Sequence, residues 1–224
     1  MGSSKVTCKA VIFDMDGVII DSMPYHFIAW YETLIPLGIR VSCFDVYSKE
    51  GENWEKTLKH FLKKAKIKFS PSILEKIFLR RKVIFRRYFK RFVFKGIYEF
   101  LVRLKREKFL LGLVTGTPMP ELRRILPKKI YKLFNCIVAG DHVKKGKPHP
   151  EPYLKAALHL AVKPNQCAVV ENAPFGIDSA KSAGMFCFAL TTGLPREYLR
   201  KADIIVDKFD EIDRMLNRNS AIKF

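Results

Sequence analysis

The chain has 224 residues, 48% of them hydrophobic and 12% aromatic, and a formal net charge of +19. This hydrophobic content excludes a disordered chain, and the length suits one large domain or a core domain that carries a smaller insertion. No apolar run is long enough to span a bilayer, and the first residues match neither a signal peptide nor a myristoylation site, which needs Ser or Thr where Val6 stands.

The positive charge is concentrated between residues 56 and 91, and residues 80–91 contain no acidic residue. Apolar and aromatic side chains interleave these cations at helical spacing, which is typical of a helix with one packed face and one solvated face. We therefore interpret the charge as a solvated helix face. Attraction of anionic substrates and nucleic-acid binding are the alternatives, and nucleic acid is not the expected partner.

The five cysteines are scattered, odd in number and set mostly among apolar neighbours: Cys8, Cys43, Cys136, Cys167 and Cys187. This usage predicts reduced core residues in a cytoplasmic protein rather than a disulfide framework.

In chain order, the first predicted element is a strand in residues 9–14, and three helices follow. Apolar residues recur at helical spacing in 22–38, 53–67 and 70–92. The first helix ends at Gly38, a suitable C-cap, and the third opens with Ser70 and Pro71. Residues 22–92 therefore read as a helical block without a strand.

From Phe94 onward, short apolar strands alternate with helices. The predicted strands lie within 109–115, 136–139, 167–171, 185–190 and 203–206, and the predicted helices within 97–107, 119–126, 151–161, 176–184, 195–201 and 209–216. This alternation indicates a parallel sheet covered on both faces. The predicted fold is an α/β core, residues 1–21 and 93–224, interrupted by an all-helical cap, residues 22–92.

Polar residues follow several of these strands where each one ends. Asp14 and Asp16 follow the first strand, Thr115 the second, and Glu171 and Asn172 close a later one, while Lys147 precedes a helix. Ligands of such sheets bind at the carboxyl ends of the strands, so these groups are expected to converge on one edge.

The same residues carry a family resemblance. "FDMDGVIIDS" resembles the first motif of the haloacid dehalogenase-like phosphohydrolases, and "VTGTP", "GKPHPEPY" and "VVENAPFGIDSAKSAGM" resemble the second, third and fourth. All four motifs occur in order and span nearly the whole chain. Within that superfamily the chain looks most like the β-phosphoglucomutase-like branch, which has a Rossmann-like core and a small helical cap of the C1 type.

The resemblance implies catalytic roles for the matching residues. Asp14 would attack phosphorus and form an aspartyl-phosphate, and Asp16 would protonate the leaving oxygen and then activate water. Thr115 and the backbone N–H groups of Gly116 and Thr117 would hold phosphoryl oxygens. Lys147 would offset the negative charge.

The resemblance also implies a Mg²⁺ cofactor, bound by Asp14, Asp16 through its backbone carbonyl, Glu171 and Asn172. The family usually has Glu-Asp at the fourth motif, and the amide of Asn172 brings one negative charge fewer. We therefore expect weaker metal binding rather than loss of activity.

The cap carries the remaining expectations. His26 matches a histidine of the β-phosphoglucomutase-like branch, so it would either steady Asp16 or contact the substrate, with a capping or core histidine as the alternative. The stretch "YSKEGENWEKTL" lies where the mutases of this branch have an arginine-bearing loop, yet it contains no arginine. Arg86, Arg87 or Lys90 could supply another anchor for a distal phosphate.

Together these observations predict a cytoplasmic, monomeric Mg²⁺-dependent phosphatase of a small phosphorylated metabolite in the sugar-phosphate class. A β-phosphoglucomutase-type sugar phosphomutase is the first alternative. A non-catalytic protein of the same fold that binds anionic partners is the second.

Overall fold

The computed structural model describes residues 7–216, and six parallel strands form its central sheet in the order β3-β2-β1-β4-β5-β6. The strands are β1 (Ala10–Phe13), β2 (Leu110–Val114), β3 (Cys136–Val138), β4 (Cys167–Glu171), β5 (Phe186–Leu190) and β6 (Ile204–Val206). The first strand lies in the middle, paired with β2 on one side and β4 on the other. The predicted parallel α/β core is confirmed.

Helices cover both faces of the sheet, as its largely apolar strands require. The core helices are α5 (Ile97–Arg106), α6 (Met119–Ile125), α7 (Lys128–Tyr131), α8 (Glu151–His159), α9 (Pro174–Ser182) and α10 (Phe209–Leu216). Val11 and Phe13 of β1 pack in one cluster with α5, α6 and α10, while Ala10 and Ile12 pack in the other with α8 and α9. Alternate side chains of one strand therefore enter opposite layers.

Between β1 and α5 lie four helices that enclose a hydrophobic cluster of their own. These helices are α1 (Met23–Leu34), α2 (Cys43–Tyr47), α3 (Trp54–Lys64) and α4 (Pro71–Tyr88). Their cluster contains Trp30, Leu58 and Phe61. We refer to α1–α4 as the cap.

Helix bounds depart from expectation at two places in the cap. Helix α4 ends at Tyr88, whereas the periodicity predicted a helix to Phe92. Helix α2 was not predicted, although Ser42 and Asp45 form a capping box at its start. A helix of five residues is too short to show a periodic pattern, so only its capping signal was readable.

The cysteine prediction is wrong at one position. All five cysteines are free thiols and four are buried, but Cys43 is exposed. It is the first residue of α2, whose N-terminus lies at the protein surface.

The chain passes between core and cap through two segments that pair with each other. Asp21 N–H donates to the Phe92 carbonyl at 2.9 Å, and Phe94 N–H donates to the Ile19 carbonyl at 3.1 Å. These short crossings leave the cap positioned over the carboxyl end of β1.

Candidate active site

A sharp turn after β1 brings two aspartates to the edge of the sheet. Asp14 and Asp16 are both buried, and Gly17 follows them with a φ of +83°. A Cβ atom at Gly17 would also overlap the side chain of Asn172. Only glycine suits this position, because it needs both the left-handed backbone conformation and the missing side chain.

The predicted site residues lie together at this edge. Asp14, Thr115 and Glu171 stand at the carboxyl ends of the neighbouring strands β1, β2 and β4. The other residues join this edge through side-chain contacts or line the cleft above it: Asp16, His26, Gly116, Thr117, Lys147 and Asn172. The expected convergence on one sheet edge is therefore present in the structure.

Lys147 bridges two carboxylates beneath the cleft. Its Nζ donates to Asp14 Oδ1 at 2.5 Å and to Glu171 Oε1 at 2.6 Å, although its side chain is only 3% exposed. Burial on its own would lower the pKa of Lys147, but the charges of Asp14 and Glu171 raise it above its ordinary value. Lys147 therefore remains a cation within reach of the candidate nucleophile.

Glu171 is held from four sides. Its Oε1 also accepts a hydrogen bond from the Tyr153 hydroxyl at 2.8 Å, and its Oε2 accepts the backbone N–H groups of Asn172 and Ala173 at 2.8 and 3.2 Å. A Cβ atom on Gly176 would overlap this carboxylate. Glu171 thus positions Lys147 through contacts that leave neither of its oxygens without a protein partner.

Asp16 accepts hydrogen bonds on both carboxylate oxygens. Ser22 Oγ lies 2.6 Å from its Oδ1, and the hydroxyls of Thr115 and Thr117 lie 3.4 and 3.2 Å from its Oδ2. Burial on its own would raise the pKa of Asp16, but hydrogen bonds from His26, Ser22 and Thr117 lower it. The threonine hydroxyls predicted to bind phosphoryl oxygens therefore contact Asp16 in this structure, and the Thr117 N–H donates to Thr115 Oγ1 at 3.1 Å.

His26 connects Asp16 with the cap. Its Nε2 lies 3.3 Å from Asp16 Oδ1, and its Nδ1 lies 2.8 Å from Arg81 Nη2. Because a guanidinium can only donate, Nδ1 is the acceptor and Nε2 carries the proton that is donated to Asp16. The guanidinium of Arg81 also lies over the Trp30 ring, 4.5 Å from its centroid.

Glu50 lies beside the same pair. Among residues 7–216, Asp16, His26 and Glu50 place ligand-type atoms within 4.8 Å of one another. Burial raises the pKa of Glu50 and lowers the pKa of Arg81 to about 10. The charge of each residue partly opposes the pKa shift of the other. Because the Arg81 cation lies next to His26, this group is a poor site for a metal ion.

Two buried oxygens fit the predicted metal. Asp14 Oδ2 and Asn172 Oδ1 have no hydrogen-bond partner within the described part of the chain. Burial raises the pKa of Asp14 well above its ordinary value, Lys147 opposes this, and Glu171 and Asp16 add to it. Carboxylate and amide oxygens are ligands that Mg²⁺ accepts, and a bound cation would favour the ionised form of Asp14.

A cavity of about 310 Å³ lies between the cap and this edge of the sheet. Its core wall includes the loop from Thr115 to Pro118, and its cap wall includes the loop from Lys49 to Asn53. A backbone bridge joins Glu52 of the cap loop to Lys147. Of the predicted site residues, the cavity is lined by His26, Thr115, Gly116, Thr117 and Lys147.

Sequence reasoning gave no role to four residues of the site. Ser22 and Tyr153 lie within the first and third motifs, Glu50 lies in the cap loop and Arg81 lies in the basic run. Of the three proposed anchors, Arg86 lines the cavity, whereas Arg87 and Lys90 are not among its lining residues.

The comparisons with known proteins agree with this architecture. The family model described as "haloacid dehalogenase-like hydrolase" matches residues 8–184. The chain is 31% identical to a β-phosphoglucomutase of Bacillus subtilis over 215 residues, covering 91% of each chain. It is 33% identical to a "phosphorylated carbohydrates phosphatase" of Thermotoga maritima over 185 residues, covering 79% of this chain and 82% of that one.

One solved structure extends the likeness to the whole fold. The crystal structure of a β-phosphoglucomutase from Clostridium difficile superposes with a TM-score of 0.80 at 28% identity, covering 94% of this chain and 98% of that one. Within residues 7–216, no helix is long and apolar enough to cross a membrane.

Proposed function

The chain belongs to the haloacid dehalogenase-like hydrolase family, and we propose that it is a Mg²⁺-dependent phosphatase that hydrolyses a small phosphorylated metabolite through Asp14. The observation that carries this proposal is the state of the Asp14 carboxylate. One oxygen is held by Lys147, while the other is buried and has no hydrogen-bond partner among residues 7–216. The name of the Thermotoga relative supports the sugar-phosphate class for the substrate.

In the first step, an Asp14 oxygen attacks phosphorus and the bond from phosphorus to the leaving oxygen breaks. The step starts with Asp16 protonated, because a phosphoryl group that engages the threonine hydroxyls removes the Thr117 hydrogen bond that lowers the pKa of Asp16. Asp16 then gives its proton to the leaving oxygen, which departs as an alcohol. If the phosphoryl group engages the hydroxyls of Thr115 and Thr117, Asp16 Oδ2 is released from them and can face the leaving oxygen. Lys147 stabilises the negative charge that develops around phosphorus.

In the second step, Asp16 takes a proton from water as the water oxygen attacks phosphorus. The bond between phosphorus and Asp14 breaks, inorganic phosphate leaves and both aspartates return to their starting states. One carboxyl group can serve both steps because it ends the first step deprotonated. The cap excludes other water from the acyl-phosphate until the leaving alcohol departs.

The metal-binding residues in this proposal are Asp14, the backbone carbonyl of Asp16, and Asn172. When bound, Mg²⁺ supplies positive charge that offsets repulsion between Asp14 and a phosphate dianion. Glu171 was predicted as a further ligand. Because protein donors engage both of its oxygens, we assign it to positioning Lys147.

The direct test is Asp14→Asn with a generic aryl phosphate and Mg²⁺, together with phosphate release from a panel of sugar phosphates. We expect a loss of at least about a thousandfold in kcat, since the amide cannot form the phospho-enzyme. Asp178→Asn is the matched control, because Asp178 lies on α9 and pairs with Lys201 away from the cleft. Retention of hydrolysis by Asp14→Asn would sink the proposal.

A phosphomutase is the second candidate, and the likeness to the Bacillus subtilis relative favours it. A mutase must hold a distal phosphate, and Lys49 and Arg81 line the cavity where such an anchor is needed. The missing arginine in the cap loop counts against it. Isomerisation of a sugar phosphate that requires a catalytic bisphosphate would establish the mutase, and phosphate release without it would establish the phosphatase.

Membership in an enzyme family counts against the second alternative, a non-catalytic protein that binds anionic partners. The chain is a family enzyme, either a phosphatase or a phosphomutase.

A further inference from the structure

One ion pair joins the cap to the core across the mouth of the cleft. Arg86 on α4 donates from Nη2 to Oε1 of Glu121 on α6, and both side chains line the cavity. The two residues are 35 positions apart in the chain, so only the arrangement of cap over core brings them together.

A second contact joins the same two regions. Arg91, just beyond α4, donates to the backbone carbonyl of Arg124 in the last turn of α6. At the other end of α6, the Met119 N–H donates to Asp141 Oδ1 at 3.0 Å, which fixes the helix to the core. The cap therefore contacts α6 at two points, and α6 is itself fixed to the core.

The two helices also carry residues of the catalytic site or lead directly from it. Helix α6 begins two residues after Thr117. Helix α4 carries Arg81, five residues before Arg86, and Arg81 bonds to His26. When Arg86 meets Glu121, Arg81 and His26 are therefore held near the loop that contains Thr117.

The pair is unsuited to substrate binding but suited to controlling cap position. Each partner neutralises the other, and their side chains are 47% and 19% exposed. Ion pairs this exposed add little to global stability. The same small free energy can matter more for the position of the cap. Two short crossings connect the cap to the core, so a small bias can shift its open and closed populations appreciably.

We propose that Arg86 and Glu121 form a latch that holds the cap closed over Asp14, so that they are positioning residues for phosphoryl transfer. The catalytic part of this inference rests on the proposed function. The conformational part does not.

Cap opening can be measured without activity, because the chain contains only two tryptophans, Trp30 and Trp54. Both lie on cap helices and line the cavity. Acrylamide quenching of their fluorescence therefore reports how far the cleft is open to solvent. The variants to compare are Glu121→Gln, Arg86→Gln and the exchanged pair Arg86→Glu with Glu121→Arg. The control is Arg87→Gln, which removes the same charge from the adjacent exposed position.

We expect each single latch variant to raise the quenching constant about twofold and to lower kcat/KM about five- to twentyfold, since a smaller share of the enzyme is closed. The exchanged pair should bring both the quenching constant and kcat/KM most of the way back to the wild-type values, and Arg87→Gln should match the wild type. High salt should open the wild type more than Glu121→Gln, because the variant has no attraction between Arg86 and residue 121 left to screen.

Unchanged quenching in Glu121→Gln, or an equal change in Arg87→Gln, would overturn the latch. Increased quenching with unchanged kcat/KM would overturn the positioning role. If the wild type hydrolysed no phosphate ester, the proposed function would fail while quenching still decided whether the latch exists.

Discussion

Asn172 sets the charge of the candidate metal site. Asp14, Asp16 and Glu171 bring carboxylates, Lys147 brings one cation, and the amide of Asn172 brings none. Its Oδ1 is buried without a partner in residues 7–216, so the atom is free to act as a ligand. The residue identity was readable in the sequence, but the free oxygen was not, since it depends on which donors surround the side chain after folding.

The first prediction is that Asn172→Asp lowers the Mg²⁺ concentration for half-maximal activity, on the order of tenfold, because ligand charge raises cation affinity. The readouts are activity against Mg²⁺ and the rise in Tm that Mg²⁺ produces. Asn165→Asp adds the same charge at an exposed position before β4 and should change neither. An inactive wild type at every Mg²⁺ concentration, with activity restored by Asn172→Asp, would contradict the weaker-binding interpretation.

The second residue-scale prediction concerns Gly176, which leaves room for the Glu171 carboxylate. Gly176→Ala should lower the free energy of unfolding by about 1–3 kcal/mol through overpacking. It should also lower kcat about tenfold or more, since Glu171 positions Lys147. Urea unfolding and steady-state kinetics check both effects. Gly146→Ala is the control, because a Cβ there meets open space next to Lys147; equal behaviour of the two variants would refute the argument.

At the scale of elements, α1 determines how the cap reaches Asp16, the proposed general acid. Ser22 precedes the helix and His26 lies one turn inside it, so both donors reach Asp16 from one helix start. The sequence left His26 open between steadying Asp16, contacting substrate and filling the cap core. The observed contacts favour the first role, with Arg81 selecting the tautomer.

The third prediction follows from that contact. His26→Ala should lower kcat at least about tenfold and change KM less than about twofold, because it removes a donor that orients the acid and base. His26→Gln should recover part of the loss, since its amide N–H can still donate to Asp16. A large rise in KM with unchanged kcat would instead assign His26 to substrate contact.

The division into core and cap also belongs to this scale. Helices α1–α4 lie within residues 22–92, and the paired crossings at Asp21 with Phe92 and at Ile19 with Phe94 lie at the limits expected from sequence. We propose that these crossings are the domain boundaries. Proteolysis that releases a fragment cut near residues 21 and 92 would support this division.

At the scale of the whole molecule, charge is unevenly distributed. Residues 56–91 contain fourteen Lys and Arg residues but only one acidic residue, Glu75. Most of these cations lie on exposed or half-buried faces of α3 and α4, as the solvated-face interpretation predicted. The monomeric state, the absence of nucleic-acid binding and the cytoplasmic location stay predictions.

The fourth prediction is that moderate salt stabilises the protein. Raising NaCl from about 20 to about 200 mM should raise Tm by roughly 2–5 °C, because screening weakens repulsion among like charges in the compact state. Calorimetry or a dye-based melting curve measures the shift. KCl at equal ionic strength should give the same shift, and a Tm that falls with salt would show that attractive ion pairs dominate instead.

The sequence alone determined the six strands and the longer helices between them, the family resemblance and the residue types at each strand end. These follow from local periodicity, turn signals and motif spacing, which are properties of neighbouring residues. The tertiary structure decided which side chains share a proton or a charge. Lys147 contacts Asp14 across 133 positions, and Arg81 contacts His26 across 55. Such pairings depend on how distant segments pack, so no local pattern records them.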